Sequence, residues 1–176
     1  MVLSDVDIER EIAEGNITVV PYNSIDIQPS SLDVHLGTQI SKVKDSHKAL
    51  RRSVDVSHPE IATIFPELYE TQNIPADGYD LKPQEFIMSD VKEKITLCSK
   101  ISARIEGRST LARFGLTIHS TAPTVHSTYH GNLKLEICNH GSLPIILKRD
   151  MKIAQIIFEY LKTPSEGSLQ SFWQGV

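Results

Sequence analysis

The distribution of apolar residues constrains the fold of this chain more than any other sequence feature. These residues fall into many short runs, rich in β-forming side chains and bounded by turn residues, and few windows have a helical period. Leu32, Val34 and Leu36 alternate with polar residues, and residues 143–147 and 153–160 form further runs of this kind. The pattern predicts a mainly β fold of the sandwich, jelly-roll or barrel type.

One helix is predicted at the front of the chain, from about Asp5 to Glu14. Ser4 lies just before it and Asp7 follows three residues later, a spacing that resembles a capping box. Gly15 provides a stop signal at the other end. A short N-terminal helix should therefore precede the β body.

The segment 46–83 is predicted to be mostly irregular. It contains several prolines and the sequence Pro-Ala-Asp-Gly at 75–78, which is typical of a turn. A short helix is expected around 59–69.

Length and charge limit the class of protein. The 176 residues are expected to form one domain, 1–176, which can bury a core without disulfides or metals. The net charge of −4 gives no basic surface for nucleic acid, so no nucleic-acid partner is expected. Neither a bilayer-spanning apolar run nor a positively charged start leading into an apolar signal segment is present. The sequence thus predicts no membrane partner and a cytoplasmic location.

The segment 107–116 (GRSTLARFGL) combines two arginines, two hydroxyl residues and two glycines. Guanidinium groups of Arg108 and Arg113 match phosphate oxygens, and the hydroxyls of Ser109 and Thr110 add neutral donors. This set favours a clamp for an anion such as a polyphosphate. The alternative is a polar turn before a short amphipathic helix, with both arginines in solvent.

Cysteine spacing argues against a zinc-dependent nucleobase deaminase. Cys98 and Cys138 are the two cysteines, and neither belongs to a C-x-x-C pair or follows an H-x-E motif. Both occur in strand-like runs, where a small, inert, half-buried thiol is the usual state. We expect no zinc and no catalytic cysteine.

Several ordered motifs resemble the dCTP deaminases, which belong to the same superfamily as the trimeric dUTPases. They comprise the segment 107–116, HSTA at 119–122, YHG at 129–131, LKLEI at 133–137, the first motif at 28–37 and the late strand at 151–158. The resemblance runs from about residue 2 to about residue 160. It is weak between about 47 and 83.

This resemblance implies a distorted jelly roll, or dUTPase-like β-barrel, that assembles as a homotrimer with sites at the subunit interfaces. It implies deamination of dCTP to dUTP and ammonia, with Mg²⁺ bound through the triphosphate and no protein metal ligands. Alternatives are a bifunctional enzyme that forms dUMP from dCTP, a plain dUTPase, and a non-catalytic nucleotide-binding regulator. Glu136 argues against the plain dUTPase, and Gln155 leaves the bifunctional enzyme open.

Glu136 is the candidate catalytic residue. In the strand 133–138 the apolar side chains point one way, and Glu136 points the other. A partly desolvated carboxyl group can move the protons that hydrolytic deamination requires. The alternative is a solvent-facing glutamate, but the resemblance places the family's catalytic glutamate here. Ser109 is expected to help organise the reacting water.

The resemblance also assigns contacts with the substrate. The candidate substrate-binding residues are Arg108, Ser109, Thr110, Arg113, Thr121, Ala122, His126, Lys134, Leu135, Glu136, Gln155 and Gln174. The backbone of Thr121 and Ala122 would line the pyrimidine pocket. His119 and Asp33 are expected to orient these groups without contacting the substrate.

Two features depart from the family pattern. His126 stands where the family usually has an aspartate, which contacts the sugar 3′-hydroxyl and positions water in dUTPases. The C-terminal tail lacks the family's lysine and tyrosine, and Gln174 can replace the family's glutamine only with a one-residue shift. Because Phe172 and Trp173 are large apolar side chains, the tail is expected to dock, either over the nucleotide or on a neighbouring subunit.

Overall fold

The computed structural model describes residues 1–50, 53–58 and 60–167, with the main chain alone at 48–50. The helices are α1 (Asp5–Ala13), α2 (Asp45–Leu50), α3 (Ile61–Leu68) and α4 (Ser109–Ala112), and a 3-10 turn spans Ser24–Asp26. The strands are β1 (Ile17–Val20), β2 (Ile27–Gln28), β3 (Ser31–Val43), β4 (Tyr69–Asn73), β5 (Tyr79–Leu81), β6 (Phe86–Leu97), β7 (Ile101–Gly107), β8 (Leu116–Thr117), β9 (Thr124–Val125), β10 (His130–Asn139), β11 (Ile145–Leu147) and β12 (Lys152–Tyr160). The predicted mainly β class is confirmed.

Ten of the described strands form one sheet. Its central path runs β8-β10-β6-β3-β12-β7-β9, while β1 pairs with β6, and β2 and β4 pair with β3. The described pairs are antiparallel, and β5 with β11 forms a separate two-stranded pair.

The long strand β3 joins the two halves of this sheet. Its first half pairs with β12, from Leu32 to His35, and its second half pairs with β6 and β4. At the change of partner, a Cβ atom on Gly37 would lie 2.8 Å from the backbone oxygen of Asp90. Only glycine allows the two main chains to approach this closely. The sheet can therefore curl around one core.

Aliphatic side chains from both halves fill that core. Leu32, Ile95, Leu135 and Ile156 are at most 1% exposed. Asp33, on the alternate face of β3, is also only 4% exposed. Residues 31–34 are all buried, so this part of β3 is covered on both faces and the alternation seen in the sequence does not bring Asp33 to solvent.

The predicted N-terminal helix is confirmed as α1, with its capping box. The N–H of Asp7 donates to the Ser4 hydroxyl, and the N–H of Ser4 donates to the Asp7 carboxylate, both at 3.3 Å. The Ser4 hydroxyl also donates to the Asp7 carboxylate at 3.0 Å, and this bond, followed by that from the Ser4 N–H, lowers the pKa of Asp7. Gly15 follows the helix with a φ of 75°, a left-handed conformation that favours glycine.

The prediction for 46–83 is wrong in part. The turn at 75–78 is confirmed, and α3 matches the expected helix, whose predicted start at Pro59 lies outside the described residues. However, the segment also contains most of α2 and the strands β4 and β5. The sequence of β4 is YETQN, which has little apolar alternation, because this strand pairs at the end of β3 and leaves its side chains largely exposed. Periodicity cannot detect such a strand.

Cys98 and Cys138 are free, half-buried thiols, as predicted. Burial raises the pKa of Cys138, which keeps it protonated at neutral pH. Cys98 lies just after β6 rather than within a strand. None of the described helices is long and apolar enough to cross a membrane.

Candidate active site

A cleft of about 440 Å³ lies where the turn before β3, the end of β7 and strand β12 meet. It is lined by Gln28, Pro29, Ser30, Ser31, Asp33, Gly107, Arg108, Ser109, Thr110 and Gln155. The fold thus brings four predicted substrate-binding residues together with Asp33. We call this opening the clamp cleft.

The Arg108 guanidinium contacts the protein through two of its three nitrogen atoms. It directly precedes α4, and its Nε lies 3.4 Å from Oδ1 of Asp33. Its Nη1 donates to the backbone oxygen of Lys152 at 3.4 Å. Within the part of the chain that the structure describes, Nη2 has no protein partner. A guanidinium held in this way can offer its Nη2 group to an anion in the cleft.

Sequence reasoning missed Lys152, which lies directly behind Asp33. Its Nζ is 3.2 Å from Oδ2 of Asp33 and 2.8 Å from Oδ1 of Asp26. Hydrogen bonds to these two carboxylates, that to Asp26 first, raise the pKa of Lys152, although burial opposes the shift. Its place in the motif 151–158 was the one sequence signal available.

Glu136 lies on β10 with the orientation that the sequence predicts. The flanking Leu135 and Ile137 are fully buried, whereas Glu136 is half-buried on the opposite face. The N–H of Ser120 donates to Oε2 of Glu136 at 2.9 Å, and the Glu136 N–H donates to the Ile118 carbonyl at 3.0 Å. Among the described residues Oε1 has no partner. The carboxylate is therefore oriented by one oxygen and available through the other.

Glu136 and Lys134 line a second, wider opening of about 1560 Å³, which we call the glutamate groove. Part of its wall is apolar and includes Ile61, Ile64 and Phe65 from α3. Stacking of Phe65 on Tyr69, with ring centroids 4.2 Å apart, helps to order that wall. An apolar surface facing a carboxylate suits a heteroaromatic ring that carries polar edges.

Lys134 and Leu135 differ in what they can offer a ligand. Lys134 is exposed and forms an ion pair with Asp90, Nζ to Oδ1 3.1 Å. Leu135 is fully buried, so only its main chain is available for the predicted contact.

The loop that carries HSTA docks beside Glu136 through the N–H of Ser120, not through His119. The Nε2 of His119 lies 3.8 Å from the Glu106 carboxylate. Thr121 and Ala122 follow on an exposed stretch of the same loop. Neither residue lines the clamp cleft or the glutamate groove, so their contact with the pyrimidine and the supporting role of His119 stay predictions.

Three further candidate residues do not join this arrangement within one chain. Arg113 caps α4 and is exposed, and His126 is exposed after β9. Neither lines the clamp cleft or the glutamate groove. Gln174 lies outside the described residues, as do Phe172 and Trp173. Near His126, the Tyr129 hydroxyl donates to the Asn132 carbonyl at 2.9 Å, which closes the turn before β10.

No group of three or more His, Cys, Asp or Glu side chains suited to a metal ion occurs among residues 1–50, 53–58 and 60–167. The carboxylate in the clamp cleft, Asp33, already contacts the cations of Arg108 and Lys152.

Comparison with known proteins decides the family. Residues 2–161 match the family model described as dCTP deaminase-like. The chain belongs to the dCTP deaminase-like family. It is an enzyme of the hydrolase class, and the resemblance inferred from its motifs is confirmed.

Two curated relatives of this dCTP deaminase-like enzyme are named "dCTP deaminase, dUMP-forming". The protein from Beutenbergia cavernae is 37% identical over 94% of the chain and 83% of the relative. That from Halobacterium salinarum is 32% identical over 94% of the chain and 84% of the relative.

The fold has a counterpart among solved structures. The structure of 2′-deoxycytidine 5′-triphosphate deaminase from Agrobacterium tumefaciens superposes with a TM-score of 0.68 at 21% identity. The match covers 89% of the dCTP deaminase-like chain but only 46% of that structure. The dUTPase-like β architecture is thereby confirmed.

Proposed function

We propose that this enzyme catalyses zinc-independent hydrolytic deamination of dCTP. The observation that carries the proposal is the Glu136 carboxylate, which is half-buried, oriented by the Ser120 N–H and open to a groove with an apolar wall. The second element of the proposed site is the clamp cleft, where Arg108, Ser109 and Thr110 can bind a triphosphate.

Glu136 performs the proton transfers in this mechanism. It takes a proton from water as the water oxygen bonds to C4 of cytosine, and it delivers a proton to N3. It then transfers the second proton of that water to the exocyclic amine, so that the C4–N bond breaks and ammonia leaves. The sum is dCTP plus water to dUTP plus ammonia. The backbone at Thr121 and Ala122 recognises the amine, and Ser109 helps to hold the water.

A homotrimer with its sites at the subunit interfaces completes this arrangement. The clamp cleft and the glutamate groove are separate openings in one chain, and Arg113 and His126 line neither. A neighbouring copy that brings its own residues to the cleft would unite these groups around one nucleotide. The family resemblance supports the trimer.

We expect the activity to depend on magnesium and not on zinc. Removing magnesium should lower the rate of dCTP deamination, because the unscreened triphosphate binds less well to the clamp. A zinc-selective chelator should leave the rate unchanged. Ammonia release with each treatment, together with the metal content of the purified enzyme, tests both points. Stoichiometric zinc whose removal stops the reaction would contradict the mechanism.

A second candidate function is hydrolysis of dUTP to dUMP after deamination. The dUMP-forming names of the relatives from B. cavernae and H. salinarum favour it. His126 argues against it, because a neutral imidazole does not supply the charge or the water-orienting geometry of the family's aspartate.

The products from dCTP and dUTP separate these candidates. We expect dUTP as the main product from dCTP, and slow cleavage of added dUTP, because His126 replaces the water-positioning aspartate. Chromatography of both reactions measures this directly. In the variant His126→Asp, dUMP formation should rise. Rapid dUMP and pyrophosphate release from dUTP by the unmodified enzyme would assign it to the dUMP-forming class.

A further inference from the structure

Lys152 contacts two buried carboxylates, and the proposed chemistry does not use it. Its Nζ contacts Asp26 at 2.8 Å and Asp33 at 3.2 Å. Asp26 and Asp33 are 7% and 4% exposed. Carboxylates this deeply buried are unstable as anions unless a cation pairs with them.

Asp26 has no other close cation among the described residues. Its other ionisable neighbour is His35, whose Nε2 lies 3.8 Å away. That imidazole is already engaged with Glu93, Nδ1 to Oε1 2.6 Å. Lys152 is therefore the principal countercharge for Asp26 and shares Asp33 with Arg108.

Lys152 also holds Arg108 through its main chain. The Arg108 Nη1 donates to the Lys152 carbonyl, while the Arg108 Nε faces Asp33. Nε and Nη1 thus each have a protein partner, and Nη2 has none among the described residues. If Lys152 lost its charge, the two carboxylates would attract the guanidinium inward, since Coulomb attraction grows as the competing cation disappears.

We propose that Lys152 is a positioning residue for phosphate binding: it neutralises Asp26 and Asp33 and thereby keeps the Arg108 guanidinium available to an anion in the clamp cleft. This inference rests on the proposed function, because it assumes that the clamp cleft binds the triphosphate of the substrate. The raised pKa of Lys152 agrees with a side chain that stays charged at neutral pH.

The test measures phosphate binding separately from turnover. The variant Lys152→Met removes the charge and keeps the length, and Lys152→Arg keeps the charge. Calorimetry with inorganic tripolyphosphate, and KM and kcat with dCTP, provide the readouts. The matched control is Lys92→Met, which removes an exposed lysine paired with Asp150 at 2.5 Å.

For Lys152→Met we expect the Kd for tripolyphosphate and the KM for dCTP to rise about tenfold or more, with a smaller change in kcat. Lys152→Arg should restore most of the affinity, and Lys92→Met should match the unmodified enzyme. Adding Lys152→Met to Arg108→Met should weaken binding no further, because the effect acts through Arg108.

Unchanged affinity in Lys152→Met, or a full additional loss on top of Arg108→Met, would overturn the inference. If Lys152→Met does not fold, Asp26→Asn gives the test. In this variant Lys152 pairs with Asp33 only, so tripolyphosphate should bind equally well or more tightly. Binding that is about tenfold weaker would overturn the inference. A different result would contradict the proposed function: the unmodified enzyme would release no ammonia from dCTP, whatever its affinity for tripolyphosphate.

Discussion

Replacing Glu136 by glutamine is expected to slow deamination of dCTP on the order of 10²–10⁴-fold, the usual cost of losing a general acid–base group. The amide keeps the shape of the carboxylate, and its oxygen can still accept the bond that the Ser120 N–H now gives to Oε2. It cannot take a proton from water at neutral pH. Nucleotide affinity should therefore stay within a few-fold of the unmodified enzyme.

Ammonia release measures the rate, and calorimetry with dCTP measures the affinity of the same preparation. Glu70→Gln is the matched control, since Glu70 lies on β4, is exposed and pairs only with Lys42 among the described residues, at 3.4 Å. It should keep full activity. If Glu136→Gln retains most of its turnover, Glu136 has no part in the chemistry.

Replacing Arg108 by methionine is expected to weaken binding of dCTP roughly 10- to 100-fold. Each lost charge-assisted contact with a phosphate costs roughly 1.5–3 kcal/mol, and a tenfold change in affinity corresponds to about 1.4 kcal/mol. The loss should appear mainly in KM, and should be much smaller for deoxycytidine, which has no phosphate. Comparing KM for these two substrates measures the contribution of the clamp.

Arg10→Met serves as the control for this variant, because Arg10 lies on α1 and pairs with Asp7 at 2.7 Å, away from the cleft residues. Arg113→Ala extends the comparison to an arginine that lines neither opening in one chain. A similar loss of affinity there would support a site shared between subunits. An unchanged KM in Arg108→Met would mean that the cleft does not bind the triphosphate.

The sequence by itself determined the features that depend on neighbours along the chain. The capping box of α1 involves residues three apart, and its bonds are present in the structure. Side chains alternate along a strand, so the runs of apolar residues predicted the β class and the orientation of Glu136. Arg108, Ser109 and Thr110 line one cleft because they are adjacent in the chain, but Arg113 of the same motif does not line it, and phosphate binding there stays a prediction.

The tertiary structure alone decided which distant groups meet. Lys152 contacts Asp33 across 119 positions, and its carbonyl accepts from Arg108 across 44. These contacts follow from the register of β12 with β3 and β7, which no local pattern encodes. The sequence predicted the helix α3, but not that its residues line the same groove as Glu136. Such contacts form because a curled antiparallel sheet brings strands that are remote in sequence side by side. Their charged side chains then interact in surroundings with little water, where electrostatic interactions are stronger.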